Sequence, residues 1–93
     1  MKWYKLITSE THEGRGSKTD QVIYMWANEP IDALNKFQGL RAVPRSKLPD
    51  IIPLSQAEES KLEEEIIHAR NWSVEKAKIS GIRYSHKKYV RLP

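Results

Sequence analysis

Two short segments near the start of the chain are apolar on both faces, and this feature most constrains the fold. In residues 2–8, alternation places Trp3 on one side of an extended strand and Tyr4 on the other, and both sides continue with apolar residues. Residues 21–26 repeat the pattern. Because a strand that is apolar on both faces needs cover on both faces, the sequence predicts a sheet packed on both of its sides.

The polar residues between these strands and the segment after them indicate a β-β-α opening. Residues 9–19 are polar and contain Gly14 and Gly16, which predicts a long hairpin connection between two antiparallel neighbours. A helix is expected over residues 30–38, because Pro30 suits its first turn and Gly39 suits its end. Its apolar residues recur at helical spacing and should lie on the sheet.

Proline content and a capping pattern define the middle of the chain. Three prolines within residues 40–54 predict a loop or an extended crossover. Ser55 and Glu58 form a capping box, so a second helix should start there and run to about residue 71. Its apolar residues, led by Leu62, fall on one face, and the glutamates Glu58, Glu59, Glu63 and Glu64 are expected to point away.

The last third of the chain admits several interpretations. Ser73 can cap a short helix over residues 74–80, and residues 82–92 then fit one strand or a hairpin that turns near residues 85–87. A helix-turn-helix over residues 72–90 is the alternative. As a single strand, this segment would have an inward face made of Ile82, Tyr84, Val90 and Leu92. The side chains on its other face would be Arg83, Lys87, Tyr89 and Arg91.

These elements predict a small α+β protein with one domain, residues 1–93. The expected order is an antiparallel hairpin, a helix, a proline-rich crossover, a longer helix and a C-terminal strand or hairpin that joins the sheet. The chain has no cysteine, which excludes disulfides and thiolate zinc sites. It shows no apolar run typical of a secretory signal or a membrane span, so a cytoplasmic protein without membrane contact is expected.

Charge is distributed unevenly along the chain, whose net charge is +4. From residue 76 onward there are six lysines and arginines and no aspartate or glutamate. Clustered cations attract polyanions, and interleaved tyrosines offer rings on which bases stack. The sequence therefore predicts a non-catalytic nucleic-acid-binding module, with RNA or single strands favoured, whose contacts are Lys78, Arg83, Lys87, Lys88, Tyr89 and Arg91.

Two other basic segments are candidates for additional contacts. Arg41 and Arg45 lie in the proline-rich segment, and Arg15 lies between Gly14 and Gly16. The glycines do not have the spacing of a nucleotide-binding loop. No cofactor is therefore predicted.

A protein-binding adaptor or inhibitor is the competing functional class. Residues 55–65 hold five glutamates and one lysine, directly before the basic tail. Either the acidic helix or the tail could dock a complementary protein surface, the tail taking an acidic one. The sequence leaves the oligomeric state open.

Enzymatic hypotheses rest on two histidines. Ser85, His86 and the residues after them resemble the serine-histidine signature of the small ribonuclease toxins of the HicA type, in which a strand histidine acts in RNA cleavage. That resemblance implies His86 as a general base or acid, although those toxins begin with the helix and strand that come last here. Glu65 and His68 have the spacing of a di-iron ligand pair, but one copy is not a site, so a local interaction on a solvated face is expected.

Overall fold

An antiparallel sheet of five strands forms the middle layer of the protein. The computed structural model describes residues 1–11, 18–40, 48–70, 73–85 and 88–92. The strands lie in the order β3-β1-β2-β4-β5, and the predicted α+β fold is confirmed. Along the chain the elements are β1 (Lys2–Thr11), β2 (Lys18–Ala27), α1 (Pro30–Gln38), β3 (Asp50–Pro53), α2 (Gln56–Arg70), α3 (Val74–Ser80), β4 (Ile82–Ser85) and β5 (Lys88–Arg91).

One face of the sheet, here called the α1 face, packs against helix α1. Phe37 of this helix is 1% exposed and joins a cluster of buried strand residues. Leu92, which follows β5, completes the same cluster. The strand residues in it alternate along β1 and β2, and they are Tyr4, Leu6, Ile23, Met25 and Ala27.

Helices α2 and α3 cover the opposite face, here called the α2 face. Trp3 of β1 and Ile82 of β4 are fully buried there. They pack with Leu62 and Ile66 of α2 and with Ala77 of α3. The sheet therefore has helices on both faces, and the prediction drawn from its doubly apolar strands is confirmed.

Local signals start the helices at the predicted positions. Helix α1 spans the predicted residues, with Pro30 first and Glu29 before it. At the start of α2 the backbone N–H of Ser55 donates to the Glu58 carboxylate (3.1 Å), and the Glu58 N–H donates to the Ser55 hydroxyl (3.2 Å). The Ser73 hydroxyl accepts from a backbone N–H in the first turn of α3. These helix starts are set by residues that are neighbours in the sequence, and for this reason they can be predicted from the sequence.

The proline-rich segment contains a strand that the sequence did not predict. Strand β3 pairs antiparallel with β1, with Tyr4 opposite Pro53. Because β3 lies at the edge of the sheet and pairs on one side only, its last residue can be a proline without breaking a ladder. Of the two predicted alternatives, a loop is therefore wrong at Asp50–Pro53, where the chain is extended and paired. Residues 41–47 lie outside the described part of the chain.

Strands β4 and β5 pair antiparallel, as expected for the predicted hairpin, and the helix-turn-helix interpretation is wrong. Strand β4 pairs with β2, and β5 pairs with β4, so that Tyr84 lies opposite Tyr89 and Arg83 lies opposite Val90. Residues opposite each other in an antiparallel pair share a face. The division of side chains expected for a single strand is therefore wrong, because Tyr89 shares the α2 face with Tyr84 while Arg83 lies on the α1 face.

Candidate functional site

A cleft of about 910 Å³ lies between the α2 face of the sheet and helix α2. The strand register creates its sheet wall, because Lys5 lies opposite Tyr24 and Tyr84 lies opposite Tyr89. Adjacent strands therefore present polar and aromatic side chains to one space. The α2-face residues of this wall are Lys5, Tyr24, Tyr84 and Tyr89, and Lys88, which lies opposite Ser85 at the start of β5, also borders the cleft.

The other wall is formed by helix α2 and the residue before its capping box. Side chains three or four residues apart share one side of a helix, and the residues lining the cleft follow this spacing. Leu54 and Leu62 are buried at the base, whereas Lys61 and His68 are exposed. The residues of this wall are Leu54, Glu58, Lys61, Leu62, Glu65 and His68.

Three tyrosines form a cluster on the sheet wall. The ring centroid of Tyr89 lies 4.9 Å from that of Tyr84 and 6.0 Å from that of Tyr24. Tyr84 is 38% exposed, so part of its ring is open to solvent while its neighbour supports it. The expectation that Tyr84 is a core residue is therefore wrong. Its exposed ring provides a surface on which a planar group can stack.

The Glu65 carboxylate of helix α2 lies in the same cleft as the hydroxyls of Tyr24 and Tyr89. Burial raises the pKa of Tyr24, and burial followed by the hydrogen bond to Glu65 raises the pKa of Tyr89 above the ordinary value of 10.0. Both phenols are protonated at neutral pH and can donate hydrogen bonds.

Three lysines surround the tyrosine cluster. Within the described part of the chain, Lys5, Lys61 and Lys88 form no ion pair with a carboxylate. Glu58 is held at the start of α2, where the backbone N–H of Ser55 lowers the pKa of its carboxyl group. The ammonium groups are thus available to a ligand that carries negative charge.

Two of the six predicted contact residues lie in the cleft, namely Lys88 and Tyr89. Arg91 pairs through its backbone with Ile82. Lys87 and the histidine of the ribonuclease hypothesis, His86, lie outside the described residues, as do the two arginines of residues 41–47 and the glycine-rich segment within residues 12–17.

Lys78 and Arg83 lie elsewhere in the structure. The Lys78 ammonium lies 4.0 Å from the ring centroid of Trp26 and 3.8 Å from the Glu63 carboxylate, which ties α3 to β2 and α2. Arg83 is half-buried on the α1 face, and its Nε and Nη2 atoms are buried without a hydrogen-bond partner among the described residues. Neither Lys78 nor Arg83 lines the cleft.

Two glutamates of α2 do not point away from the sheet as predicted. The backbone N–H of Trp3 donates to Glu59 (2.9 Å), and the Trp3 indole N–H donates to Glu63 (3.2 Å). These carboxylates satisfy donors of a buried tryptophan and fix α2 against β1. Their position is a tertiary effect, because Trp3 and α2 are far apart in sequence.

Sequence reasoning missed most of the cleft. It treated Tyr24 as a strand core residue and did not consider Lys5 or Lys61. The spacing of Glu65 and His68 was the one available signal, and it correctly placed both on one side of α2. The expected solvated face is wrong for Glu65, which is half-buried against Tyr89.

Other chemistry and comparisons give no further assignment. Among residues 1–11, 18–40, 48–70, 73–85 and 88–92, no group of three or more histidines and carboxylates is placed to hold a metal ion. No helix in the described part of the chain is long and apolar enough to cross a membrane. No protein-family model matches this sequence, and no match to it was found among curated proteins or solved structures.

Proposed function

We propose that the protein is a non-catalytic RNA- or single-strand-binding module of the cytoplasm and that the cleft between the sheet and α2 is its binding site. The observation that carries this proposal is the partly exposed ring of Tyr84 beside three lysines without ion pairs among the described residues. Single-stranded nucleic acids are bound by this combination, in which aromatic rings stack bases and cations hold the phosphates.

The shape of the cleft favours single strands over a duplex. The tyrosines lie at the sheet wall, and helix α2 forms the opposite wall, so a base must enter between them. Bases in a duplex are already stacked and paired, whereas an unpaired base can be turned into such a cleft. Lys61 and Lys88 are exposed and can contact the phosphates on either side of that base.

The competing protein-binding hypothesis receives less support from the acidic helix. Three of the glutamates that suggested a docking surface are used within the fold, Glu58 by Ser55 and Glu59 and Glu63 by Trp3. The ribonuclease hypothesis depends on His86, which lies outside the described residues.

The test is the salt dependence of binding to a fluorescently labelled, mixed-sequence single-stranded RNA, measured by anisotropy. We expect log K to fall linearly with log salt, with each neutralised phosphate contributing about 0.7 to the slope. A triple variant in which Lys5, Lys61 and Lys88 are changed to glutamine removes three of these contacts. Its slope should therefore be shallower by about 2.

A second triple variant controls for net charge. Changing Lys2, Lys36 and Lys76 to glutamine removes the same charge from one half-buried and two exposed positions, none of which lines the cleft. We expect this variant to keep most of the wild-type affinity and slope. Equal losses in the two triple variants would assign binding to general charge, and undetectable binding by the wild type would reject the proposal.

A further inference from the structure

Glu65 is an unexpected residue in a site for a polyanion. Its carboxylate lines the cleft together with the three lysines and the tyrosine cluster. A carboxylate repels phosphate and lowers affinity for any nucleic acid that passes close to it. Glu58 also lines the cleft, but its carboxylate closes the capping box. Glu65 has no such role at a helix end.

Helix α2 places this carboxylate on the wall that faces the tyrosine cluster. Glu65 is half-buried and lines the same cleft as the Tyr24 and Tyr89 hydroxyls. An ionised carboxylate has about four acceptor positions and no donor. A hydrogen-bond donor that enters the cleft can therefore occupy one of these positions.

The sugar of a bound nucleotide supplies such a donor at this place. The ribose connects the base to the phosphate, so a nucleotide with its base on Tyr84 and its phosphate near Lys61 brings its sugar to the α2 wall, where Glu65 lies one helical turn after Lys61. The 2′-hydroxyl of ribose can donate a hydrogen bond, and deoxyribose lacks this group. A carboxylate acceptor on this wall is thus able to distinguish the two sugars.

We infer that Glu65 makes the cleft selective for RNA over DNA by accepting a hydrogen bond from a ribose 2′-hydroxyl. This inference rests on the proposed function and names its ligand class. Glu65 acts as a specificity-determining residue: the hydrogen bond offsets its repulsion of phosphate in RNA, whereas DNA meets the repulsion alone. Tyr89 is a positioning residue, because its hydroxyl orients the carboxylate.

The experiment compares the affinities of ribo-, deoxyribo- and 2′-O-methyl forms of one single-stranded sequence of about ten nucleotides, within the site sizes of such proteins. A hydrogen bond to a charged acceptor corresponds to a preference of about 10-fold or more for the ribo form. In Glu65→Ala this preference should fall to about 1-fold, with unchanged or tighter binding of the deoxyribo form because the repelling charge is gone. Tyr89→Phe keeps the ring and should lower the preference in part.

Glu64→Ala is the matched control, since Glu64 is an exposed neighbour on the same helix and does not line the cleft. It should keep the wild-type preference. A preference for the ribo form that persists in Glu65→Ala would overturn the inference. Affinities for both sugars that fall equally in this variant would also overturn it, because Glu65 would then contact the base and not the sugar. If the wild-type protein binds the ribo and deoxyribo forms equally, the inference is overturned but the proposed function stands. If it binds neither form, the inference and the proposed function are both rejected.

Discussion

Replacing Gly81 with alanine tests how the fold places β4, the strand that carries Tyr84. Gly81 has φ 77° and ψ 166°, a backbone region that residues with a Cβ rarely adopt. An added Cβ would lie 2.7 Å from Met25 Sδ and 3.1 Å from Leu92 Cδ1, both in the buried α1-face cluster. Backbone strain of about 1–3 kcal/mol adds to an overpacking cost of about 1–3 kcal/mol. We expect Gly81→Ala to lower the free energy of unfolding by about 3 kcal/mol, within this combined range.

Urea denaturation followed by circular dichroism measures this loss. With a slope of about 1–3 kcal/mol per molar urea, the midpoint should fall by about 1–3 M. Gly39→Ala is the matched control, because Gly39 has an ordinary φ of −78° and a Cβ there would meet its nearest atom at 3.5 Å. Alanine at such a position is neutral or stabilises by about 0.4–1 kcal/mol. Equal midpoints for the two variants would refute the reasoning about Gly81.

Two further predictions concern the tyrosine cluster. Tyr84→Leu should weaken RNA binding by about 10-fold in the anisotropy assay, because one stacked base contributes about 1–3 kcal/mol, and an unchanged affinity would exclude stacking on this ring. Burial and the hydrogen bond to Glu65 raise the pKa of Tyr89, so the folded state keeps a proton that the unfolded chain releases above about pH 10. The contribution of this proton to the free energy of unfolding should therefore be fully present below that pH and decline above it. Urea midpoints measured across the alkaline range should decline less steeply in Tyr89→Phe than in the wild type. Identical profiles for the two proteins would contradict the assignment of the raised pKa to Tyr89.

Much of the fold could be predicted from the sequence because its signals are local. The capping box of Ser55 and Glu58 lies within one helical turn and gives the start of α2. The first-turn proline of α1 and the Ser73 cap of α3 act in the same way. Strand β3 was missed because it forms by pairing with the distant β1, and a sequence rich in proline gives no local indication of that partner.

The candidate site was predictable only in part. Lys88 and Tyr89 belong to the basic tail, so composition alone identified them. Lys5, Tyr24 and Glu65 come from three separate segments and meet because of strand register and helix docking. Local periodicity does not encode which distant strands become neighbours, and one change of pairing moves a side chain to the other face.

The amino-acid sequence by itself determined that this chain has a sheet covered on both sides, with helices that begin at defined caps. Those properties depend on alternation and on contacts within a turn. Only the tertiary structure decided between one strand and two at the end of the chain: β4 and β5 pair antiparallel, which puts Tyr89 beside Tyr84 and Arg83 on the opposite face. The physical reason is that strand pairing is stabilised by contacts between residues far apart in the sequence. Through these contacts, residues of the basic tail line one wall of the cleft.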